Sequence, residues 1–212
     1  MFKKTVIASL VFILSMSVFA NNKQDDKLYV SAGIANITVD TGISSTAGVT
    51  IDEDDTAPMA MIGYKLDDNL AAEAGIFGTS EASASISASS SGTVRGVSYS
   101  ASAAVKLSAE TDMWMMGAAY HTQLNDKLNV TARAGMLFWD VDYKADITIT
   151  YNGSSISAGG TFAQEDGNDA YFGLGADYSI TDDIIAEASY LTSEVAGYDI
   201  SSINIGIKHK FN

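Results

Sequence analysis

Through most of this chain, apolar side chains recur at every second residue, and the positions between them hold mainly glycine, alanine and charge. Period-2 alternation marks a strand with two unlike faces, and almost no helical periodicity competes with it after the first twenty residues. Three short polar interruptions fix the frame. "GYKLDDNLAAEAG" (63–75), "AYHTQLNDKLNVTARAG" (119–135) and "ADYSITDDIIAEASY" (176–190) share one shape, and their aspartates Asp68, Asp126 and Asp182 stand 58 and 56 residues apart. Each reads as a tight turn between two strands.

One face runs Ala60, Ile62, Tyr64, Leu66 into the first turn and Leu70, Ala72, Ala74, Ile76 out of it. Trp114, Met116, Ala118, Tyr120 and then Leu128, Val130, Ala132, Ala134, Met136, Phe138 frame the second. Phe172, Leu174, Ala176, Tyr178, Ile180 and then Ile184, Ala186, Ala188, Tyr190 frame the third. "LYVSAGIANI" (28–37) and "SINIGIKHKF" (202–211) add a strand at each end, for eight in all.

The opposite face holds Gly33, Gly63, Lys65, Glu73, Gly75, Gly117, His121, Gln123, Arg133, Gly135, Gly173, Gly175, Asp177, Glu187, Gly206 and Lys208. In a soluble sandwich the apolar face is the crowded core and the polar face meets water. Here the polar face is too small and too glycine-rich for a solvated exterior, and it suits a tight, curved interior. Apolar side chains outward and polar ones inward is the pattern of a membrane barrel. Closure is also the arrangement that satisfies every backbone group of a sheet in hydrocarbon. Alternation over about 9–11 residues per strand matches a tilted bilayer crossing. The single proline, Pro58, fits a chain whose amides go almost entirely into a ladder.

The reading is therefore an all-β, eight-stranded antiparallel up-and-down transmembrane β-barrel over residues 21–212. Short periplasmic turns alternate with longer outer connections at about 39–56, 80–111, 141–169 and 193–201. Tyr64, Tyr120 and Tyr178 near the turns, with Trp114 and Phe138 near the outer connections, form two aromatic belts at the interfaces. Residues 1–20 read as a cleaved secretory signal peptide: basic "MFKK", an apolar run, and Val18-Phe19-Ala20 at the cleavage site.

Cleavage removes two of the 12 basic residues and none of the 26 acids, leaving a net charge of −16. So acidic an exported chain is no nucleic-acid binder, a role that needs clustered Lys and Arg. With no cysteine, disulfides and thiolate metal sites are excluded.

These residues resemble the OmpA-type family of small eight-stranded outer-membrane barrels, including opacity-type surface proteins. The resemblance rests on the three hairpins and on "GIKHKF" (206–211), and it covers essentially the whole mature chain. It implies the outer membrane of a Gram-negative bacterium, with lipid and lipopolysaccharide around the barrel. It also implies delivery by periplasmic chaperones to the barrel-assembly machinery, with Gly206, Ile207, His209 and Phe211 forming the terminal assembly signal. Asn212 after the phenylalanine departs from a signal that usually ends on the aromatic. The chain stops at the barrel, so the family's peptidoglycan-binding role is not carried over.

The inward set Lys65, Glu73, His121, Arg133, Asp177, Glu187 and Lys208 reads as a closed ion-pair network or as a pore lining. An eight-stranded barrel is just wide enough for its side chains to fill, which favours the plug. Pairing also lowers the cost of holding charges away from water, and Glu187 is expected to meet Lys208. His121 has no convincing serine partner for a hydrolytic triad, so no catalytic residue and no cofactor site is assigned. "IDEDDT" (51–56) and "QEDGND" (164–169) lack the spacing of a calcium loop and read as solvated acidic loops, with no metal site.

The segments 80–111 and 141–169 keep alternating beyond membrane length, the latter around Asn152-Gly153, a strong hairpin signal. They read as strand pairs projecting outward, either as a binding element for an extracellular ligand or as a simple extension into the lipopolysaccharide zone. The expected function is a non-enzymatic surface protein with protruding loops for adhesion or host interaction. The alternative is a narrow porin-like channel for small solutes or ions.

Overall fold

The computed structural model describes residues 27–46 and 48–211, so the signal-peptide reading of residues 1–20 and the terminal Asn212 lie outside the described residues. Among the described residues nine strands form: β1 (Leu28–Asp40), β2 (Val49–Asp52), β3 (Asp54–Lys65), β4 (Leu70–Val94), β5 (Val97–Gln123), β6 (Leu128–Tyr151), β7 (Ser154–Ser179), β8 (Ile184–Val195) and β9 (Tyr198–Lys210). Eight of them close a ring in the order β1-β3-β4-β5-β6-β7-β8-β9, with β9 returning antiparallel to β1. The short β2 stands outside the ring, paired to β4 at Val49↔Ile86 through Asp52↔Ser83. Closure leaves no free edge in the membrane-spanning part.

The repeated turns are alike in their bonding. Leu66, Leu124 and Ile180 each donate a backbone N–H to the carbonyl of Leu70, Leu128 and Ile184 respectively. Asp67, Asn125 and Thr181 supply the side-chain oxygen that accepts the N–H of those same three residues. An acceptor at the first turn position and an apolar residue three places on is thus the common rule behind the threefold sequence pattern.

The alternating faces orient as the sequence predicts. Ile62, Tyr64, Ile76, Trp114, Met116, Tyr120, Phe172, Leu174, Tyr178, Ile203, Ile205 and Ile207 stand exposed on the outer wall. Trp114 stacks on Phe138 with ring centroids 3.9 Å apart, at the upper end of that band.

Two of the outer connections, 80–111 and 141–169, are the outward strand pairs that the sequence predicts, whereas 193–201 is a tight hairpin in place of a longer connection. Strands β4–β7 are 24 to 27 residues long, against 12 or 13 for β1, β3, β8 and β9. Residues 80–111 and 141–169 are continuous strand, closed by two-residue turns at Arg95-Gly96 and Asn152-Gly153. Residues 193–201 contain a third such turn, Ala196-Gly197. All three turns have positive φ at both residues (53 and 81, 45 and 85, 52 and 84), the geometry of hairpins that match strand twist. "IDEDDT" lies on β2 and β3 with Glu53 between them, and "QEDGND" lies within β7. These acids are solvent-facing as expected for Asp52, Asp54, Glu165 and Asp166, but they stand on strands and not in loops.

Candidate functional site

The lumen is filled in two layers, and a sheet rises above it. The lower layer is ionic and draws on seven of the eight ring strands. Arg133 (β6) donates through Nε to Glu73 (β4) at 2.8 Å and lies 3.5 Å from Glu187 (β8). Lys208 (β9) donates to Asp177 (β7) at 2.8 Å and stands 3.3 Å from Glu187. Tyr29 (β1) donates its hydroxyl to Glu73 at 2.6 Å. His121 (β5) meets Thr131 at 2.8 Å, and Thr131 in turn donates to Asp177 at 3.3 Å. The structure thus brings together Glu73, His121, Arg133, Asp177, Glu187 and Lys208. Lys65 sits half-buried at the end of β3, and no ion pair among the described residues ties it to the cluster.

Glycine makes room for this layer at particular points. A Cβ on Gly63 would lie 2.1 Å from the Tyr29 ring, so the tyrosine occupies the space a side chain there would need. Gly117 and Gly135 face each other across β5 and β6 and cushion Tyr171 in the same way, at 2.6 and 2.8 Å.

Above the ions the lumen is apolar, a layer the sequence reading did not predict. Met59, Met61, Met113, Met115, Leu137, Trp139, Tyr171 and Leu191 fill it, leaving a void of about 30 Å³. Its signal was present in "MWMM" (113–116) and "LFW" (137–139), where both faces turn apolar together and the two-face rule loses its contrast. Trp139 closes the top of the layer by donating Nε1 to Asp169 at 2.9 Å. At the outer mouth, an open apolar cavity of about 290 Å³ is lined by Ile43, Ile51, Leu107, Tyr143, Phe162 and Tyr198 among others.

The extended parts of β4–β7, with the short β2 added to the β4 edge at residues 83–86, form a sheet standing over one half of the mouth. The opposite half ends low, at Asp40, Asp54 and the Ala196-Gly197 turn. The sheet has two contrasting faces. Cross-strand partners on one are Ile86↔Val105, Val105↔Ile147, Ala103↔Ile149 and Ile149↔Ile156. On the other they are Ser85↔Lys106, Ser89↔Ser102, Ser91↔Ser100, Ser102↔Thr150 and Thr148↔Ser157. Lys106 pairs with Glu81 on this polar face, and Lys144 pairs with Glu110. Each partner's carboxylate raises the lysine pKa, so both lysines stay charged.

β5 shows how the faces relate to the membrane. Its even positions Tyr120, Met116 and Trp114 meet lipid, but from Asp112 upward they become Glu110, Lys106, Ser102 and Ser100. Its odd positions face the lumen below and continue as Leu107, Val105, Ala103 and Ala101 above. The apolar face of this strand therefore changes sides where the strand leaves the bilayer.

The acids expected to be free in loops are held in place. Asp54 accepts from Thr38 at 2.5 Å, Asp55 accepts the Glu81 amide at 2.7 Å, and Glu53 accepts from Thr41. On β9, Gly206 packs on the Ala32 backbone beside Gly33, and Ile207 faces outward. His209 meets the buried Phe211 edge to face at 4.9 Å.

A family profile described as "Outer membrane protein beta-barrel domain" matches residues 6–211. Among solved structures, Ail, the attachment invasion locus protein of Yersinia pestis, matches at 12% identity and a TM-score of 0.50. That match covers 89% of this chain and 100% of that one. OprG from Pseudomonas aeruginosa matches at 12% identity and a TM-score of 0.52, covering 88% of this chain and 96% of that one. No curated protein sequence matches this one. At such identities the likeness to the two structures is one of fold.

Proposed function

The chain belongs to the outer-membrane β-barrel domain family, and we propose that it is a non-enzymatic surface protein whose barrel anchors the β4–β7 sheet for attachment. One observation carries the reading. A bilayer crossing needs about 9–11 residues per strand, yet four adjacent strands run 24 to 27. The excess is ordered, paired to its tip, and gathered on one side of the mouth. Attachment is also what the Yersinia pestis neighbour is named for, although the reading here rests on the sheet.

The lumen supports anchoring over conduction, because an ionic layer and an apolar layer lie in series across it. His121 supports no catalytic role: its hydroxyl partner Thr131 is fully buried within the ionic layer and bonded to Asp177. The export route is the signal peptide at residues 1–20, and β9, with Gly206, Ile207, His209 and Phe211, is the strand presented to the assembly machinery.

The test is a truncation that spares the barrel. Residues 84–107 and 146–159 are each replaced by Asn-Gly, cutting both hairpins at paired positions. Cells displaying the truncated protein are expected to lose attachment, whether to one another, to epithelial monolayers or to matrix-coated surfaces, while the protein keeps its heat-modifiable gel mobility. Equal attachment by the truncated and intact proteins overturns the reading. Large, stable single-channel currents from the intact protein in planar bilayers would return it to transport.

A further inference from the structure

We infer that the apolar face of the β4–β7 sheet is a docking surface for the same face of a second copy of this chain, presented from a facing membrane. The inference rests on the attachment reading above and names the partner.

The face is large and uncharged. Ile86, Leu107, Ile147, Ile149 and Ile156 are all exposed on it, Ile156 by 78%. Alanines 84, 88, 101, 103, 145 and 158 lie between them in register, keeping the surface low enough for another sheet to approach. Four strands about 4.8 Å apart and about ten residues of free length at about 3.4 Å each give about 650 Å² per copy. Exposed apolar patches of that size are rare on surfaces that stay unpartnered. Two such faces stacked at the usual 10 Å sheet separation bury about 1,300 Å² in total, within the range of a specific interface.

The direction of the face selects the partner's side. It looks across its own barrel mouth, over the half of the ring that ends at Asp40, Asp54 and Ala196-Gly197. In a neighbour in the same membrane each apolar face looks over its own barrel mouth, so even when turned toward each other the two faces are held apart by the low halves of both rings and do not meet. A copy descending from an opposing membrane places its sheet in the empty half of the mouth. A twofold axis in the plane midway between the membranes relates the pair, and one patch serves both partners. The mouth cavity of about 290 Å³ at the base of the face gives the tip of the incoming sheet an apolar end point. The serine-rich outer faces remain solvated.

Charge sets the conditions. The formal charge is −14 for the full chain and −16 once residues 1–20 are removed, so facing copies repel at long range, and the contact itself contains no ion pair. Association is expected to strengthen as salt rises toward physiological levels and screens that repulsion. An interface held by ion pairs would weaken instead.

The experiment uses the whole protein in phospholipid vesicles, with turbidity as the readout. Vesicles carrying the intact chain are expected to aggregate, and bare vesicles are not. Ile149→Asp is expected to abolish aggregation, whereas Thr148→Asp, the same charge one residue away on the polar face, leaves it intact. Heat-modifiable mobility of both variants reports that the barrel has folded. The chain has no cysteine, so Ala103→Cys and Ser102→Cys provide a second route independent of the charge variants. A short bismaleimide is expected to join differently labelled vesicles through Ala103→Cys and not through Ser102→Cys. Dispersed wild-type vesicles, equal effects of the two aspartates, equal cross-linking from both cysteines, or aggregation that weakens with salt would each overturn the inference. If vesicles stay apart while intact cells still attach to foreign surfaces in a sheet-dependent way, the self-partner fails and the attachment reading stands. If truncated cells attach as well as intact ones, the attachment reading itself fails.

Discussion

Replacing Arg133 with methionine removes the cation at the centre of the ionic layer without emptying the lumen. Arg133 and Glu73 are 1% and 0% exposed in their side chains and 2.8 Å apart, so neither is helped by water when the other is lost. Glu187 keeps Lys208 at 3.3 Å, but among the described residues Glu73 is left with the Tyr29 hydroxyl at 2.6 Å as its one hydrogen-bond donor. Breaking a buried pair by removing one partner costs about 3–5 kcal/mol, and the single remaining neutral donor puts Arg133→Met in that range. Urea unfolding in lipid vesicles, followed by the fluorescence of the two tryptophans, measures the loss. Adding Glu73→Gln removes the stranded charge, so the double variant is expected to recover stability, with a coupling of about 1–3 kcal/mol. Arg133→Lys keeps the charge and falls between. A loss below about 1 kcal/mol, the scale of a surface pair, would refute the view that this layer is dry and mutually paired, and so would strict additivity.

Gly63→Ala drives a methyl into the Tyr29 ring and is expected to cost about 1–3 kcal/mol by overpacking. In that background Tyr29→Ala should cost less than it does in the wild type, read from denaturation midpoints. Ala196→Asn places a residue that tolerates the left-handed region at φ 52, and is expected to stabilise the β8–β9 tip by about 0.5–1 kcal/mol and slow its amide exchange. Asp67 at the first periplasmic turn has its pKa lowered by the amides of Asn69 and Leu70. A depressed folded pKa adds stability above the unfolded value, near pH 4, and loses it as pH falls through the folded value. Asp67→Asn should therefore lower stability at pH 7, with the difference from wild type shrinking below about pH 4.

The barrel was legible because the membrane imposes a simple rule. Wherever a strand has lipid on one side and a packed lumen on the other, two-residue periodicity separates the faces, as in Leu128 to Phe138 against Thr131, Arg133 and Gly135. The charged layer was legible for the same reason, since an inward Glu or Lys stands out among glycines. Lys65 alone failed to join it, being too near the strand end. Legibility fell where the contrast disappeared. The methionine layer is apolar beside an apolar outer wall: alternation with Ala118 and Tyr120 puts Met116 outward, but nothing in it marks Met115 as part of a packed apolar layer inside. Ala196-Gly197 also escaped notice, because alanine at φ 52 is not a usual hairpin residue and its conformation is imposed by the paired strands on either side.

The change of sides along β5 bears most directly on function. A strand that only lengthens a barrel into water could lose its apolar residues altogether, as the serines at 98, 100 and 102 have done on the outer face. Instead the inner face keeps Leu107, Val105, Ala103 and Ala101, and β6 aligns Ile147 and Ile149 beside them. Lipid does not require that face, because it begins above the level where the outward positions turn to Asp112 and Glu110. The lumen does not require it either: Leu107 still borders the mouth cavity opposite Tyr198, but above that level, at Val105, Ala103, Ile147 and Ile149, the opposite wall has ended. Passive extension accounts for the polar face but leaves the apolar one unexplained. A partner accounts for both. Moving the apolar residues to the outer face, by exchanging Val105 with Lys106 and Ile149 with Thr148, preserves composition and strand length. Such a variant should keep its barrel and lose vesicle association; undiminished association would mean that the sheet's bulk, and not its sidedness, is what makes contact.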